Sequence, residues 1–250
     1  MKYLLNLALV LSLTVSCQAK EPEKPISENN EIQNIKNDSL FYKIREAKGT
    51  EKPVLLILMH GFGANEEDLL PLADSFPENY IVVTPQAPYK IGNQNYQWYT
   101  SEKDADGGFG GKQEELTESI TKVENLVKNL QKKYNVKAGR TFIGGFSQGA
   151  NMSYQLGLRY PALFKGIGVL SGTIFNTLKQ AEDKTKASSL KIFIAHGEQD
   201  NRIPFTEAES SKKWLDAHQY QSEFHTYKGM SHSISQEEIQ DLVKFTQKNL

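Results

Sequence analysis

The strongest constraint on the fold is a set of five short apolar runs, each followed within two residues by a glycine or a proline. Apolar runs of this length that do not alternate with polar residues are typical of parallel strands covered on both faces. We therefore predict a central, mostly parallel sheet. Its predicted strands include residues 54–59, 81–83, 141–143, 167–170 and 192–195.

Amphipathic helical patterns separate these runs. Between Leu116 and Leu130, apolar residues recur at spacings of three and four, with lysine and glutamate on the opposite side. Near the C-terminus, Ser235 and Glu238 have the spacing of a helix capping box. Strands that alternate with helices predict an α/β fold, a doubly wound sheet with helices on both faces. Ligands of such sheets bind at the carboxyl ends of the strands, so we expect functional residues in the loops that follow the runs.

Composition excludes several classes of protein. The chain has 250 residues with 29 Lys+Arg against 30 Asp+Glu, and this balance disfavours a nucleic-acid partner, which requires a basic surface. A single cysteine cannot form an intramolecular disulfide. Neither that cysteine nor the five histidines show the spacing of a structural zinc site.

The N-terminal residues have the pattern of a targeting segment. Lys2 precedes an apolar run that is too short to span a bilayer, so residues 1–16 are predicted to be a secretory signal peptide. Residues 13–17, which end at the only cysteine, resemble the lipobox of bacterial lipoproteins, and this implies lipidation of Cys17 and a membrane contact through that lipid alone. The alternative is cleavage after Ala19 and plain secretion. Residues 17–39 are polar and charged, which predicts a disordered tether, and residues 40–250 are left as one domain.

A Gly-x-Ser-x-Gly motif follows the third predicted strand. It places Ser147 between that strand and a predicted helix, 148–159, which ends before Pro161. A serine at such a tight turn exposes its hydroxyl, and the helix N-terminus offers backbone N–H groups to an oxyanion. We therefore predict that Ser147 is a nucleophile and that the N–H of Gln148 is an oxyanion donor.

A serine nucleophile requires a histidine base that is oriented by a carboxylate. In this type of fold the acid and then the histidine follow the serine along the chain. His232 is the best candidate for the base, because it lies in a loop before the capped C-terminal helix. Asp200, four residues beyond a strand, is favoured as the acid over Glu198.

The remaining histidines are predicted to have other roles. We expect His218 to be a surface residue of a helix, His225 a strand residue and His196 a structural residue at the end of a strand. His60 precedes the serine, so the chain order predicts a structural role for it as well.

The loop after the first predicted strand, 60–65, contains two glycines that allow its backbone to turn toward the reacting carbon. We predict the N–H of Phe62 as the second oxyanion donor. Residues 89–112 combine aromatic residues with glycines and form a possible roof over the site. There, the aromatic residues Tyr96, Trp98, Tyr99 and Phe109 either line an acyl pocket or only pack the loop down.

Together these motifs resemble the phospholipase/carboxylesterase family of α/β hydrolases, the branch that includes bacterial carboxylesterases and acyl-protein thioesterases. The resemblance is carried by residues 58–69, 85–88, 144–150, 196–200 and 231–232. It implies an α/β-hydrolase fold, a triad of Ser147, Asp200 and His232, hydrolysis of carboxylic esters or thioesters, and no metal or organic cofactor.

Three functions remain open from the sequence. The leading hypothesis is a serine esterase for small soluble esters with short-to-medium acyl groups, because no long apolar stretch suggests a lipase lid. The second is release of acetyl or feruloyl groups from polysaccharides at the cell surface, suggested by the leader and tether. The third is a surface lipoprotein that binds acyl ligands without catalysis. A dienelactone-type hydrolase is disfavoured, because its cysteine nucleophile is replaced here by Ser147.

Overall fold

The computed structural model describes residues 40–181 and 189–250. The described residues belong to one compact unit, Ile35–Leu250. The predicted signal peptide, Cys17 and the predicted tether lie outside them. None of the helices in the described ranges has the length and apolar character needed to cross a bilayer.

A seven-stranded sheet forms the centre of the fold. Its strands lie in the spatial order β1-β3-β2-β8-β9-β10-β11, and every pairing is parallel except that of β1 with β3. The strands are β1 (Tyr42–Arg45), β2 (Val54–Met59), β3 (Tyr80–Pro85), β8 (Thr141–Phe146), β9 (Gly166–Leu170), β10 (Lys191–Gly197) and β11 (Gln221–Tyr227). All five predicted runs are strands of this sheet, so the prediction of a mostly parallel sheet is confirmed.

Four shorter strands form two antiparallel pairs between β3 and the first helix. They are β4 (Tyr89–Lys90) with β5 (Tyr96–Gln97), and β6 (Ser101–Lys103) with β7 (Phe109–Gly111). We refer to residues 89–111 as the hairpin segment.

Five α-helices and three short 3₁₀ helices complete the described part of the chain. The α-helices are α1 (Gln113–Lys133), α2 (Gln148–Arg159), α3 (Asn176–Ala181), α4 (Phe205–Ala217) and α5 (Gln236–Lys248). The 3₁₀ helices are Leu70–Ser75, Ala138–Arg140 and Pro161–Leu163. The predicted helix at 148–159 is confirmed with the same bounds, and the predicted capping box of Ser235 and Glu238 is present at the start of α5.

Strand β2 shows why its sequence is apolar without alternation. Leu55, Ile57 and Met59 enter a core cluster that also holds residues of α1, α2 and α4. Leu56 and Leu58 enter a second cluster, with α5 and the first 3₁₀ helix. Each face of the strand is therefore buried against helices, and this confirms the doubly wound arrangement.

Candidate active site

Ser147 lies in a sharp turn between β8 and α2. Its backbone has φ 55° and ψ −113°, a conformation that non-glycine residues rarely adopt and that costs on the order of 1–3 kcal/mol. The turn leaves no room for side chains where β8, α2 and β2 meet: a Cβ added to Gly145, in β8, would lie 2.5 Å from the carbonyl oxygen of Met59 and 2.6 Å from the carbonyl carbon of Gly149. A Cβ on Gly149 would overlap the same oxygen. The two glycines of the motif are therefore required for this turn, which raises the Ser147 side chain above the carboxyl end of the sheet.

The structure brings Ser147, His232 and Asp200 into one hydrogen-bonded row. Nε2 of His232 lies 2.9 Å from Oγ of Ser147, and Nδ1 of His232 lies 2.7 Å from Oδ2 of Asp200. An ionised carboxylate only accepts hydrogen bonds, so Nδ1 carries the proton of the neutral ring. Nε2 is then free to accept the proton of the serine hydroxyl.

The carboxylate of Asp200 is completely buried and held by several donors. Its Oδ1 accepts hydrogen bonds from the backbone N–H groups of Arg202 and Ile203, both at 2.9 Å. Burial raises the pKa of Asp200, but the hydrogen bonds from His232 and from these N–H groups outweigh burial and hold the pKa below its ordinary value. Asp200 is therefore ionised at neutral pH and can stabilise a positive charge on His232.

Backbone hydrogen bonds fix the loop of Asp200 to the loop of His232. The N–H of Glu198 donates to the carbonyl of Tyr227 at 3.1 Å, and the N–H of Gln199 donates to the carbonyl of Met230 at 3.0 Å. The rival acid, Glu198, is exposed, and its carboxylate accepts a hydrogen bond from Thr226 at 3.4 Å. It makes no hydrogen bond or ion pair with His232, whose ring nitrogens bond to Asp200 and Ser147.

Two backbone N–H groups are free to bind an oxyanion next to Ser147. Gln148 occupies the first position of α2, where N–H groups have no partner within the helix. Phe62 is the second residue of a turn closed by the N–H of Ala64 and the carbonyl of Gly61, at 3.3 Å. Neither the N–H of Phe62 nor that of Gln148 donates to another group of the described residues. The turn lies beside the serine, since a Cβ added to Gly61 would be 3.5 Å from Cβ of Ser147.

The other histidines lie outside this row. His196 is fully buried, and its Nε2 donates to the carbonyl of Ile203 at 2.8 Å and lies 3.4 Å from Oδ2 of Asp200. His225 is in β11 with its ring 4.7 Å from that of Phe193. His218 directly follows α4 and is half-buried against Trp214, with ring centroids 4.0 Å apart. It is therefore less exposed than the sequence pattern predicts.

His60 is buried at the end of β2, beside the turn that contains Phe62. Burial lowers its pKa, against the opposing effect of its hydrogen bond to the Gly61 carbonyl and of the Asp68 and Glu66 charges. The ring is therefore neutral at neutral pH.

A cavity of about 350 Å³ opens onto Ser147 and His232. Its apolar walls come from residues of the hairpin segment, from the loop after β9 and from the turn after Asp200. These side chains are Tyr99, Phe109, Phe175 and Ile203, and the side chain of Phe62, in the turn after β2, also lines the cavity. Charged side chains from the same regions, Glu102, Lys103 and Arg202, also line it. The cavity can hold a small acyl group beside the serine.

Of the four aromatic residues proposed for an acyl pocket, the structure places Tyr99 and Phe109 in the wall of this cavity. Trp98 is fully buried below it, and its indole N–H donates to the carbonyl of His60 at 2.9 Å. The carbonyl of Tyr96 accepts a hydrogen bond from the N–H of Gly63 at 2.9 Å, and its side chain lies outside the cavity wall. Tyr96 and Trp98 therefore support the turn of Phe62 rather than line the cavity.

Sequence patterns missed the role of two polar side chains in α2. The side chain of Gln148 accepts a hydrogen bond from the N–H of Trp98 and donates one to the carbonyl of Tyr99, both at 2.8 Å. Asn151 donates to the Tyr99 hydroxyl at 3.0 Å and accepts from the N–H of Thr173 at 2.9 Å. Both residues attach the hairpin segment to the helix of the nucleophile. The only available signal was that polar residues occur in a helix expected to be buried.

Within the described residues, no group of three or more histidine, cysteine, aspartate or glutamate side chains is arranged to hold a metal ion. The chemistry visible at this site is that of the serine, the imidazole, the carboxylate and the two backbone N–H groups.

Comparison with known proteins agrees with the fold described above. The profile of the Phospholipase/Carboxylesterase family matches residues 42–250. Acyl-protein thioesterase 1 of Yarrowia lipolytica is 27% identical over 208 residues, which cover 78% of this chain and 91% of that protein. Acyl-protein thioesterase 1 of Mycosarcoma maydis is 29% identical over 229 residues, covering 82% and 95%.

Solved structures show the same fold. The carboxylesterase of Bacillus cereus superposes with a TM-score of 0.71 at 24% identity, over 86% of this chain and 96% of that one. The family match spans most of the chain, and its relatives are named for the hydrolysis of esters and thioesters. The chain therefore belongs to the phospholipase/carboxylesterase family of α/β hydrolases and is a carboxylic ester hydrolase.

Proposed function

We propose that the protein hydrolyses carboxylic esters with short-to-medium acyl groups through a catalytic triad of Ser147, His232 and Asp200. The observation that carries this proposal is the hydrogen-bonded row from Oγ of Ser147 through His232 to Asp200, at 2.9 and 2.7 Å. The volume of the adjoining cavity, about 350 Å³, is at the low end of the range for small-molecule sites and supports small acyl groups.

Acylation follows from the positions of these atoms. Oγ of Ser147 attacks the carbonyl carbon of the ester while Nε2 of His232 takes the hydroxyl proton. The carbonyl oxygen becomes an oxyanion and accepts hydrogen bonds from the N–H groups of Phe62 and Gln148. Asp200 stabilises the positive charge on His232. The bond to the leaving group then breaks, His232 donates its proton to the departing oxygen, and an acyl-enzyme remains on Ser147.

Deacylation repeats these steps with water. Nε2 of His232 takes a proton from a water molecule whose oxygen attacks the acyl carbon. The tetrahedral intermediate collapses, the bond to Oγ of Ser147 breaks, and His232 returns the proton to the serine. The products are a carboxylic acid and the free enzyme.

Replacement of the nucleophile tests the proposal. We expect Ser147→Ala to lower kcat/KM for 4-nitrophenyl acetate and butyrate by at least about 10⁴-fold. The melting temperature should change by no more than about 2 °C, because the hydroxyl contributes little to packing. The wild type should also react covalently with a fluorophosphonate probe at Ser147. Retention of more than a tenth of the activity in the variant would overturn the mechanism, and a wild type that neither turns over esters nor takes the probe would indicate a non-catalytic acyl-binding protein.

Thioesters are a second substrate class for the same site. This proposal is supported by the two fungal relatives named acyl-protein thioesterase 1. The acyl carbon and the oxyanion are common to esters and thioesters, so the same residues would act on both. We expect Ser147→Ala to abolish hydrolysis of butyryl-thiocholine and of butyrate esters to the same extent. Loss of only one of the two activities would contradict a shared site.

We also propose that the protein is exported and anchored by a lipid on Cys17, on the basis of the apolar leader and the lipobox-like residues 13–17. The intact mass of the protein purified from its own cells tests this. A mass corresponding to diacylated residues 17–250 is expected. A lipid-free mass corresponding to cleavage after Ala19 would show plain secretion, and an unprocessed chain would exclude export.

Exposure outside the cell would bring the site into contact with esterified polysaccharides. Acetylated and feruloylated oligosaccharides therefore belong in the substrate panel beside the model esters. Release of acetate or ferulate by the wild type, and not by Ser147→Ala, would identify this as the activity at the cell surface.

A further inference from the structure

The imidazole of His60 can adopt only one tautomer in this structure. Its Nε2 lies 3.1 Å from the backbone nitrogen of Ala87. A backbone N–H can only donate, so Nε2 must be the unprotonated acceptor of the neutral ring. The ring proton is then on Nδ1, which lies 2.7 Å from the carbonyl oxygen of Gly61 and donates to it.

Burial supports this assignment. The residue is 1% exposed, and burial lowers the pKa of His60, so the charged form that would lose the acceptor at Nε2 is disfavoured. The ring also packs against Trp98, with centroids 5.4 Å apart, and this contact leaves it little freedom to rotate.

The hydrogen bond to Gly61 acts on the oxyanion donor. The carbonyl of Gly61 and the N–H of Phe62 belong to one planar peptide group. An orientation imposed on the carbonyl therefore fixes the direction of the N–H. A carbonyl that accepts a hydrogen bond also makes the N–H of the same peptide a stronger donor.

The neighbouring peptide is fixed as well, and this connects the two oxyanion donors. The indole N–H of Trp98 donates to the carbonyl of His60 at 2.9 Å. The backbone N–H of Trp98 donates to the side chain of Gln148 at 2.8 Å. Gln148, which supplies one oxyanion N–H, thus holds through Trp98 the peptide that precedes the one carrying the N–H of Phe62.

We propose that His60 is a positioning residue of the oxyanion hole: through the bond from Nδ1 to the Gly61 carbonyl, it aims the N–H of Phe62 at the oxygen that becomes negative in the transition state. This role rests on the proposed triad mechanism. It adds to the structural role that the chain order predicts, because the contribution is made in the transition state and not only in the fold.

Two substitutions separate the bonds of His60. An asparagine at this position can place its amide nitrogen near Nδ1 and keep the donor to Gly61, whereas a longer glutamine can place its amide oxygen near Nε2 and keep the acceptor for Ala87. We expect His60→Gln to lower kcat for 4-nitrophenyl butyrate at least tenfold with KM changed less than twofold, because the loss of one oxyanion donor costs on the order of 10²–10³-fold and misalignment costs part of that. His60→Asn should keep kcat within about threefold of wild type.

A transition-state analogue gives the readout that a purely structural role would not change. Phenylboronic acid forms a tetrahedral adduct with a serine nucleophile and places one oxygen in the oxyanion hole. We expect His60→Gln to weaken its inhibition by the same factor as kcat/KM, and His60→Asn to leave it nearly unchanged. Melting temperatures of both variants are measured in parallel. The proposal is overturned if both variants lose activity to the same extent and their melting temperatures fall to the same extent. It is also overturned if His60→Gln keeps full activity.

The burst of nitrophenol at the start of the reaction distinguishes a failure of the positioning proposal from a failure of the triad mechanism. A burst that the wild type shows and Ser147→Ala lacks supports the acyl-enzyme. In His60→Gln the burst should keep its amplitude and have a lower rate. If Ser147→Ala keeps the burst, the mechanism itself is wrong and with it the positioning role. If only the His60 variants deviate from expectation, the mechanism stands and the positioning role is rejected.

Discussion

At the scale of single residues, the acid of the triad can be tested against its neighbour in the same turn. The carboxylate of Asp200 accepts hydrogen bonds from His232, Arg202 and Ile203, whereas that of Glu198 is exposed and does not contact His232. An amide at 200 keeps the shape but favours the wrong tautomer of His232. We therefore expect Asp200→Asn to lower kcat by on the order of 10³–10⁴-fold, as the corresponding change does in serine proteases.

Glu198→Gln is the matched control for that substitution. It changes a carboxylate to an amide two residues away, and we expect its kcat to remain within twofold of wild type. Steady-state kinetics on one nitrophenyl ester measure both variants. An equal effect at the two positions would mean that the turn as a whole, and not the carboxylate of Asp200, determines the rate.

A second residue-scale prediction concerns Glu238, which closes the capping box of α5. Its side chain is fully buried, one oxygen accepts from the N–H of Ser235 at 3.3 Å, and the other has no partner among the described residues. Burial raises the pKa of Glu238 from 4.5 to about 8, against the opposing effect of the Ser235 N–H. Between pH 4.5 and 8 the folded state therefore holds a proton that the unfolded state has released.

The sign of the pH dependence follows from this difference. The contribution of Glu238 to stability is complete below pH 4.5 and is lost as the pH rises to about 8, with a slope of at most about 1.4 kcal/mol per pH unit. Glu238→Gln keeps an acceptor for Ser235 without the charge. We expect urea denaturation at pH 5, 6.5 and 8 to show that the free energy of unfolding declines less with pH in the variant. At pH 8 the free energy of unfolding of the variant should be higher than that of the wild type. Parallel pH profiles for the two proteins would show that Glu238 is not the group responsible.

At the scale of elements, the close contact between α2 and β2 predicts an effect of a glycine-to-alanine change that is opposite to the one expected from helix propensity. Alanine is favoured over glycine within a helix by about 1 kcal/mol. At Gly149, however, a Cβ would overlap the carbonyl oxygen of Met59, which is backbone and cannot move aside alone. We expect Gly149→Ala to lower the free energy of unfolding by about 1–3 kcal/mol and kcat by at least tenfold, because α2 must shift and carry Ser147 with it.

Gly139 provides the control for the glycine substitution. It lies in the 3₁₀ helix before β8, and a Cβ there would meet nothing within 4 Å. Gly139→Ala should therefore leave activity unchanged and stability equal or slightly higher. Chemical denaturation and ester kinetics of the two variants measure the contrast, and a Gly149→Ala protein as stable and active as wild type would contradict the close packing.

The strands show how much of the fold could be predicted from a single sequence. Strands β2, β3, β8, β9 and β10 were predictable because burial on both faces leaves an uninterrupted apolar run. Strand β1 is half-buried along its length and only four residues long, so it lacks that pattern. The contacts of Trp98 with His60 and Gln148 join residues 38 and 50 positions apart, and no local pattern encodes them. Ser147, Asp200 and His232 were predictable as candidates because each lies in the turn or loop that follows a strand, whereas the support for the Phe62 turn was not.

At the scale of the whole molecule, the N-terminal limit of the folded domain can be located by truncation. Leu40 is 6% exposed, and β1 covers the edge of β3 through four antiparallel residue pairs. The guanidinium of Arg45 donates to the carbonyls of Phe76, Pro77 and Tyr80 at 2.8–3.0 Å, and so holds the loop before β3. Leu40 and β1 are therefore packed against the rest of the compact unit.

Two truncated chains test this boundary. We expect removal of residues 1–39 to leave the melting temperature within about 2 °C and ester turnover unchanged, because the buried contacts just described are retained. Removal of residues 1–45 deletes Leu40, β1 and Arg45 together. It exposes the edge of β3 and removes the three hydrogen bonds that Arg45 donates, and each such loss costs on the order of 1 kcal/mol. The shorter chain should then melt at least 8 °C lower or fail to fold, and equal stability of the two would show that the domain begins after β1.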